Sequence, residues 1–130
     1  MAGYSGTPLA QKLGIKSGHW LALINAPDGF ELDLPADVSV GDGICDIIVA
    51  FYTERAALVE GFAGLAAALQ PAGGLWIAWP KKSSGVATNL NDNLVREVGL
   101  AAGLVDNKVC AVTDIWSGLR FVYRLKDRRL

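Results

Sequence analysis

Residues Asp46–Trp79 read DIIVAFYTERAALVEGFAGLAAALQPAGGLWIAW. The stretch opens on an apolar run, Asp46–Tyr52, and closes on another, Leu75–Trp79. Continuous apolar runs of this length belong to strands covered on both faces, because alternation vanishes when neither face meets water. Between them, Thr53 and Glu54 form a helix start. The hydroxyl can accept an orphan backbone N–H, and the carboxylate stands at the positive end of the helix dipole. Leu58, Phe62, Leu65 and Leu69 then recur along one helical face. The pattern predicts a helix over Glu54–Gln70, stopped by Pro71-Ala72-Gly73-Gly74. Strand, helix and strand in this order make a right-handed parallel unit.

Upstream, Trp20–Ala26 (WLALINA) carries the same buried-strand signature and ends at a Pro27-Asp28-Gly29 turn. Phe30, Leu32 and Leu34 alternate with acidic residues, which fits either a short edge strand or a loose crossover. Pro35 breaks that segment. Val38–Val40 reads as a short strand, and Gly41-Asp42-Gly43 as a turn. Nearer the start, Thr7-Pro8 opens a short helix over Leu9–Leu13, and Gly14 stops it.

Downstream, a polar loop runs from Pro80 to Asn91. A helix follows over Asp92–Ala102, with Leu94, Val95, Val98 and Ala102 facing inward and Asn91 as its cap; Thr88 and Asn89 are alternative caps. Val105–Thr113 and Leu119–Leu125 read as strands, antiparallel because a short turn joins them. The whole chain is therefore expected to be one Rossmann-like α/β domain. Its mainly parallel sheet should have about five to six strands, helices on both faces and an antiparallel C-terminal strand pair.

Composition narrows the function. The 130 residues suffice for one domain with a real core. Hydrophobic residues make up 52% and charged residues 19%, which argues for buried elements and against disorder. A net charge of −1 provides no broad field for nucleic acid or an anionic membrane. No apolar run approaches the ~20 residues of a membrane span, and the N-terminus lacks the pattern of a signal peptide. A cytoplasmic location is the expectation, with Cys45 and Cys110 as free thiols.

Three stretches carry a resemblance: YSGTPLAQKLGI (Tyr4–Ile15), WPKKSSGVATNL (Trp79–Leu90) and KVCAVTDIWSGLRFV (Lys108–Val122). They resemble a small bacterial family of uncharacterised domains, a domain of unknown function, over nearly the whole chain. That family supplies no activity to carry over. The Asp46–Trp79 stretch is also similar to the fourth strand, helix and fifth strand of class I methyltransferases. In those enzymes a Gly-rich loop after the first strand holds the cofactor. Here that place reads NAPDGF, with one glycine, a departure that argues against S-adenosylmethionine binding.

In an open parallel sheet, ligands bind beyond the C-terminal strand ends. Asn25 and Asp28 follow the first strand, and Thr53 and Glu54 the second. Lys81, Lys82, Ser83, Ser84 and Gly85 follow the third, with Thr88 further along the loop. The lysines, the N–H groups around Ser84-Gly85 and the next helix start form a candidate anion site for a carboxylate or phosphate. The loop is not a Walker phosphate loop, which needs GxxxxGK[ST]. His19 precedes the first strand and should lie at the opposite edge, away from any Ser-His-acid triad there. One histidine and two distant cysteines do not make a zinc site, so no metal is expected. No cofactor is assigned.

The residues thus point to a non-catalytic binding or regulatory module that takes an anionic small molecule or a protein partner at the 80–92 loop. The alternative is a divergent enzyme, methyltransferase-like or an acid/base catalyst using Asp28 and Lys81. Homo-oligomer formation through the 119–125 strand, read as an edge, is a third route.

Overall fold

A computed structural model describes residues 8–128 of the chain. Its elements run α1 (Leu9–Lys12), β1 (Trp20–Ile24), β2 (Ser39–Val40), β3 (Cys45–Phe51), α2 (Arg55–Ala67), β4 (Leu69–Pro80), α3 (Asp92–Ala101), β5 (Leu104–Ala111) and β6 (Trp116–Tyr123). One six-stranded sheet has the order β2-β1-β3-β4-β6-β5. The first four strands are mutually parallel. β6 lies antiparallel between β4 and β5. The α/β class, the mainly parallel sheet and the antiparallel C-terminal pair match the sequence expectation.

The sheet separates two cores. Leu75, Ile77, Trp79, Leu119 and Phe121 face α2 and α3, where Leu58, Phe62, Leu65 and Val95 meet them. Leu21, Ile47, Val49, Phe51, Trp76 and Ala78 face the other way, toward α1. Alternation along β4 sends Trp76 and Trp79 to opposite faces. On the α1 side the cover is thin. Trp76 Nε1 donates to the Leu13 carbonyl at 2.9 Å, which pins the single-turn helix to the sheet. Phe30, Leu32 and Val38 of the β1–β2 crossover complete the cover. That segment is a crossover and not an edge strand.

Several local expectations are corrected. α2 stops at Ala67, and Leu69 already belongs to β4. Pro71–Gly74, read as a loop, is a bulge inside that strand. Cys45 pairs with Leu69 and Ile47 with Gly74, so two steps along β3 match five along β4. The Cys45 N–H bonded to the Ala68 carbonyl at 2.7 Å holds the early register, and tertiary pairing overrides the local turn signal. The strand at 119–125 is also not an edge: β6 is interior, and the edges are β5 and the two-residue β2. On α3, Ala102 is exposed, while Gly99 is buried against the Phe121 ring. Trp79 is buried at 6% exposure. Thr7 as the cap of α1 lies outside the described residues.

Candidate functional site

Because β1, β3 and β4 run parallel, the segments that follow them leave from the same edge of the sheet. The chain leaves β1 through Asn25, a left-handed residue at φ 57°. The Phe30 N–H bonded to the Pro27 carbonyl at 3.1 Å closes the turn. Asp28 is exposed. Phe30 then drops onto Phe51, the last residue of β3, with ring centroids 5.0 Å apart in an edge-to-face pair. Phe51 in turn meets Trp116 in the same way at 5.2 Å. The crevice between β1 and β3, where the strand order reverses direction, therefore has an aromatic seam along its α1 side.

After β3, the start of α2 is capped from a distance. Glu54 occupies the cap position in extended conformation, and no side-chain cap comes from Thr53 or Glu54. Asn89 supplies the acceptor instead, with its Oδ1 taking the Arg55 N–H at 2.7 Å. Thr53 contributes its carbonyl, which accepts the Thr88 hydroxyl at 2.6 Å and the Asn89 N–H at 3.3 Å. Polar side chains of the 80–92 loop thus tie it to the end of β3.

The rest of that loop is equally well bonded. The Lys81 N–H donates to the Ile115 carbonyl at 2.7 Å. Lys82–Ser84 form one tight turn, with the Ser84 N–H and hydroxyl both donating to the Lys81 carbonyl at 3.0 and 2.7 Å. Ser84 Oγ accepts the Val86 N–H at 3.1 Å, around a left-handed Gly85. Asn91 caps α3 by accepting the Leu94 N–H at 2.9 Å, as expected. Asp92 in the first turn of α3 adds a carboxylate there.

What remains outward-facing is specific. Lys82 and Ser83 are exposed, and Lys81 is half-buried. Neither lysine forms an ion pair among the described residues. Asp28 and Glu54 are exposed and likewise unpaired among the described residues. Thr53, Thr88 and Asn89 are brought together, while Asp28 makes no hydrogen bond to any of them. The role of Asn89 was missed because its partner lies 34 positions away. A cavity of about 620 Å³ lies at the opposite edge of the sheet, where His19 is part of its lining.

Six strands in this order, with the antiparallel β6 inserted beside β4, form a Rossmann-like α/β sheet. No protein-family model matches the chain, and comparison with curated proteins gives no match. Among solved structures, a SAM-dependent methyltransferase from Aquifex aeolicus superposes with a TM-score of 0.63 at 13% identity, covering 87% of this chain and 86% of that one. A ribosomal protein L11 methylase from Lactobacillus delbrueckii subsp. bulgaricus gives 0.59 at 11% identity, over 89% of this chain and 75% of that one. The 1,6-didemethyltoxoflavin-N1-methyltransferase of Burkholderia thailandensis gives 0.59 at 12% identity, over 87% and 73%. At such identities the likeness establishes the fold alone. Among the described residues no helix is long and apolar enough to cross a membrane.

Proposed function

We propose that this chain is a methyltransferase-like fold used as a binding or regulatory module, with the Lys81–Asn91 loop as its contact surface. The observation that carries the reading is the crossover after β1. It has no helix, a single glycine at its turn and an aromatic, Phe30, seated on Phe51. A Gly-rich turn leading into a helix is what brings backbone N–H groups to a cofactor's charged end. The 81–91 loop, by contrast, is rigidly bonded yet presents Lys82 and Ser83, with Lys81 half-buried beside them. Such a surface suits an anionic partner segment or small molecule approaching from solvent.

The experiment is thermal stability against S-adenosylmethionine, nucleotides, sugar phosphates, dicarboxylates and an acidic peptide, repeated on Lys81→Ala/Lys82→Ala. A compound that binds only the folded chain at 100 times its Kd stabilises it by ~2.7 kcal/mol. A shift lost in the double variant supports the loop. A shift with S-adenosylmethionine that survives it, together with methyl transfer to any acceptor, overturns the reading.

One observation favours a second reading, a divergent methyltransferase with its site at the C-terminal strand ends. The likeness to methyltransferases spans 89% and 87% of the chain in the two superpositions. On that reading Asn25, Asp28, Thr53 and Glu54 line the site, and Asp28→Asn abolishes turnover while leaving the fold intact.

A further inference from the structure

The cavity at the N-terminal edge of the sheet gathers positive charge. Lys12, Lys16, Lys108 and Arg120 line it, with Asp46 as the only lining carboxylate among the described residues and His19 beside them. These four cations come from α1, the turn after it, β5 and β6. The chain as a whole has a net charge of −1, so the fold concentrates what the composition does not show. Asp46 is already engaged, with Oδ2 accepting the Trp20 N–H at 2.8 Å. His19 Nδ1 accepts the Lys16 N–H at 3.1 Å.

Two departures from regular pairing build the groove. The β4 bulge bows Gln70–Gly73 outward as one wall. A second irregularity, between Asp106 and Lys108, sets Lys108 directly across from Arg120. Lys108 Nζ then reaches the Lys12 carbonyl at 3.2 Å, linking β5 to α1. Ile47, Pro71 and Ala72 add an apolar strip. The volume falls within the ~300–1,000 Å³ usual for small-molecule sites.

Whereas Lys16 and Lys108 are exposed, Arg120 is half-buried. It occupies the sheet row of Val49 and Trp76, on the α1 face. Burial first, then Arg128, pushes its pKa below the usual arginine range. Among the described residues it has no hydrogen-bond or ion-pair partner. The guanidinium lies in a slot made by Gly74, where an added Cβ would stand 2.5 Å from Nε and 2.7 Å from Nη2. A half-buried guanidinium held in place without an anion costs free energy. A planar fork in a groove ringed by lysines matches a group with several negative oxygens.

We propose that this groove binds a phosphorylated small molecule of nucleotide size, with Arg120 as the bidentate anchor and Lys12, Lys16 and Lys108 at the rim. The site lies at the sheet edge opposite the Lys81–Asn91 loop and does not depend on it. Isothermal titration of the full chain with ADP, pyrophosphate and adenosine at about 0.15 M salt tests it. ADP should bind, pyrophosphate should bind more weakly and adenosine should give no heat. Arg120→Gln should weaken ADP at least about tenfold. Gly74→Ala keeps every charge but fills the slot, and should weaken ADP too. If Arg120→Gln does not fold, Lys12→Gln/Lys108→Gln decides, with a comparable loss expected. Lys81→Ala/Lys82→Ala should leave binding unchanged. The proposal is overturned by absence of ADP and pyrophosphate binding at about 1 mM, or by affinity unchanged in the groove variants. Loss confined to the loop variant, or tighter binding of a single-stranded oligonucleotide than of ADP at the groove, overturns it equally.

Discussion

Replacing Asn89 with alanine tests how the candidate loop is held. Asn89 Oδ1 is the acceptor for the Arg55 N–H at the start of α2, at 2.7 Å. The side chain has no apolar burial to lose, because Asn89 is exposed. The expected cost is therefore that of a lost helix cap, ~1 kcal/mol within a range of about 0.5–2. The bonds from the Asn89 N–H and the Thr88 hydroxyl to the Thr53 carbonyl survive, so the loop keeps both of those ties. In urea the midpoint should fall with the slope unchanged, and Tm should drop by roughly 3–6 °C. Thr53→Ala is the matched control. Its hydroxyl caps nothing in α2, and its replacement should cost less than ~0.5 kcal/mol. Hydrogen exchange adds a local reading, since the Arg55 amide should lose more protection than amides of β3. A Thr53→Ala cost exceeding that of Asn89→Ala would refute the reasoning and restore the local cap read from the sequence.

Other outcomes follow from the packing. Gly99→Ala should destabilise by ~1–3 kcal/mol in urea unfolding, because the new Cβ overlaps the Phe121 ring. The helix-propensity gain of ~1 kcal/mol recovers only part of that. Trp76→Phe removes the donor to the Leu13 carbonyl and should cost ~1–3 kcal/mol, with exchange protection falling first in α1. Cys45 and Cys110 have thiol pKa values raised by burial; Asp46 and Asp42 add to the first, while Lys108 and Lys12 offset the second. Their protonated forms favour the folded state. That stability is complete below the ordinary thiol pKa of ~8.5 and is lost as pH rises through the raised values. Alkaline titration of Tm should show this decline, reduced in Cys45→Ala relative to its own neutral value.

The parallel sheet was legible because its central strands β3 and β4 are buried on both faces, and WLALINA, DIIVAFY and LWIAW are apolar runs without alternation. Strand ends were less legible. Pro71-Ala72-Gly73-Gly74 carries every local mark of a loop, and only the partner strand reveals it as a bulge. The interior place of β6 escaped for a related reason. Sequence order puts it last, whereas the sheet inserts it between β4 and β5. The candidate edge residues could be named from the rule that ligands sit beyond strand ends. Their hydrogen bonding could not, since Asn89 and Arg55 meet across 34 positions. The basic groove was invisible altogether. Lys12 and Arg120 look like isolated surface charges until α1 is laid across the sheet.

The central position of β4 also governs the order in which the chain can mature. Along one side Leu75–Ala78 pair with β3, and along the other Leu75–Pro80 pair with β6. During synthesis, β1 to β4 emerge well before Trp116. Through that interval the buried half of β4, Gly74–Pro80, presents an open row of N–H and carbonyl groups. A ribosome-bound chain ending before residue 116 should therefore need chaperone protection. Release of that dependence should coincide with the emergence of Trp116–Tyr123 from the exit tunnel.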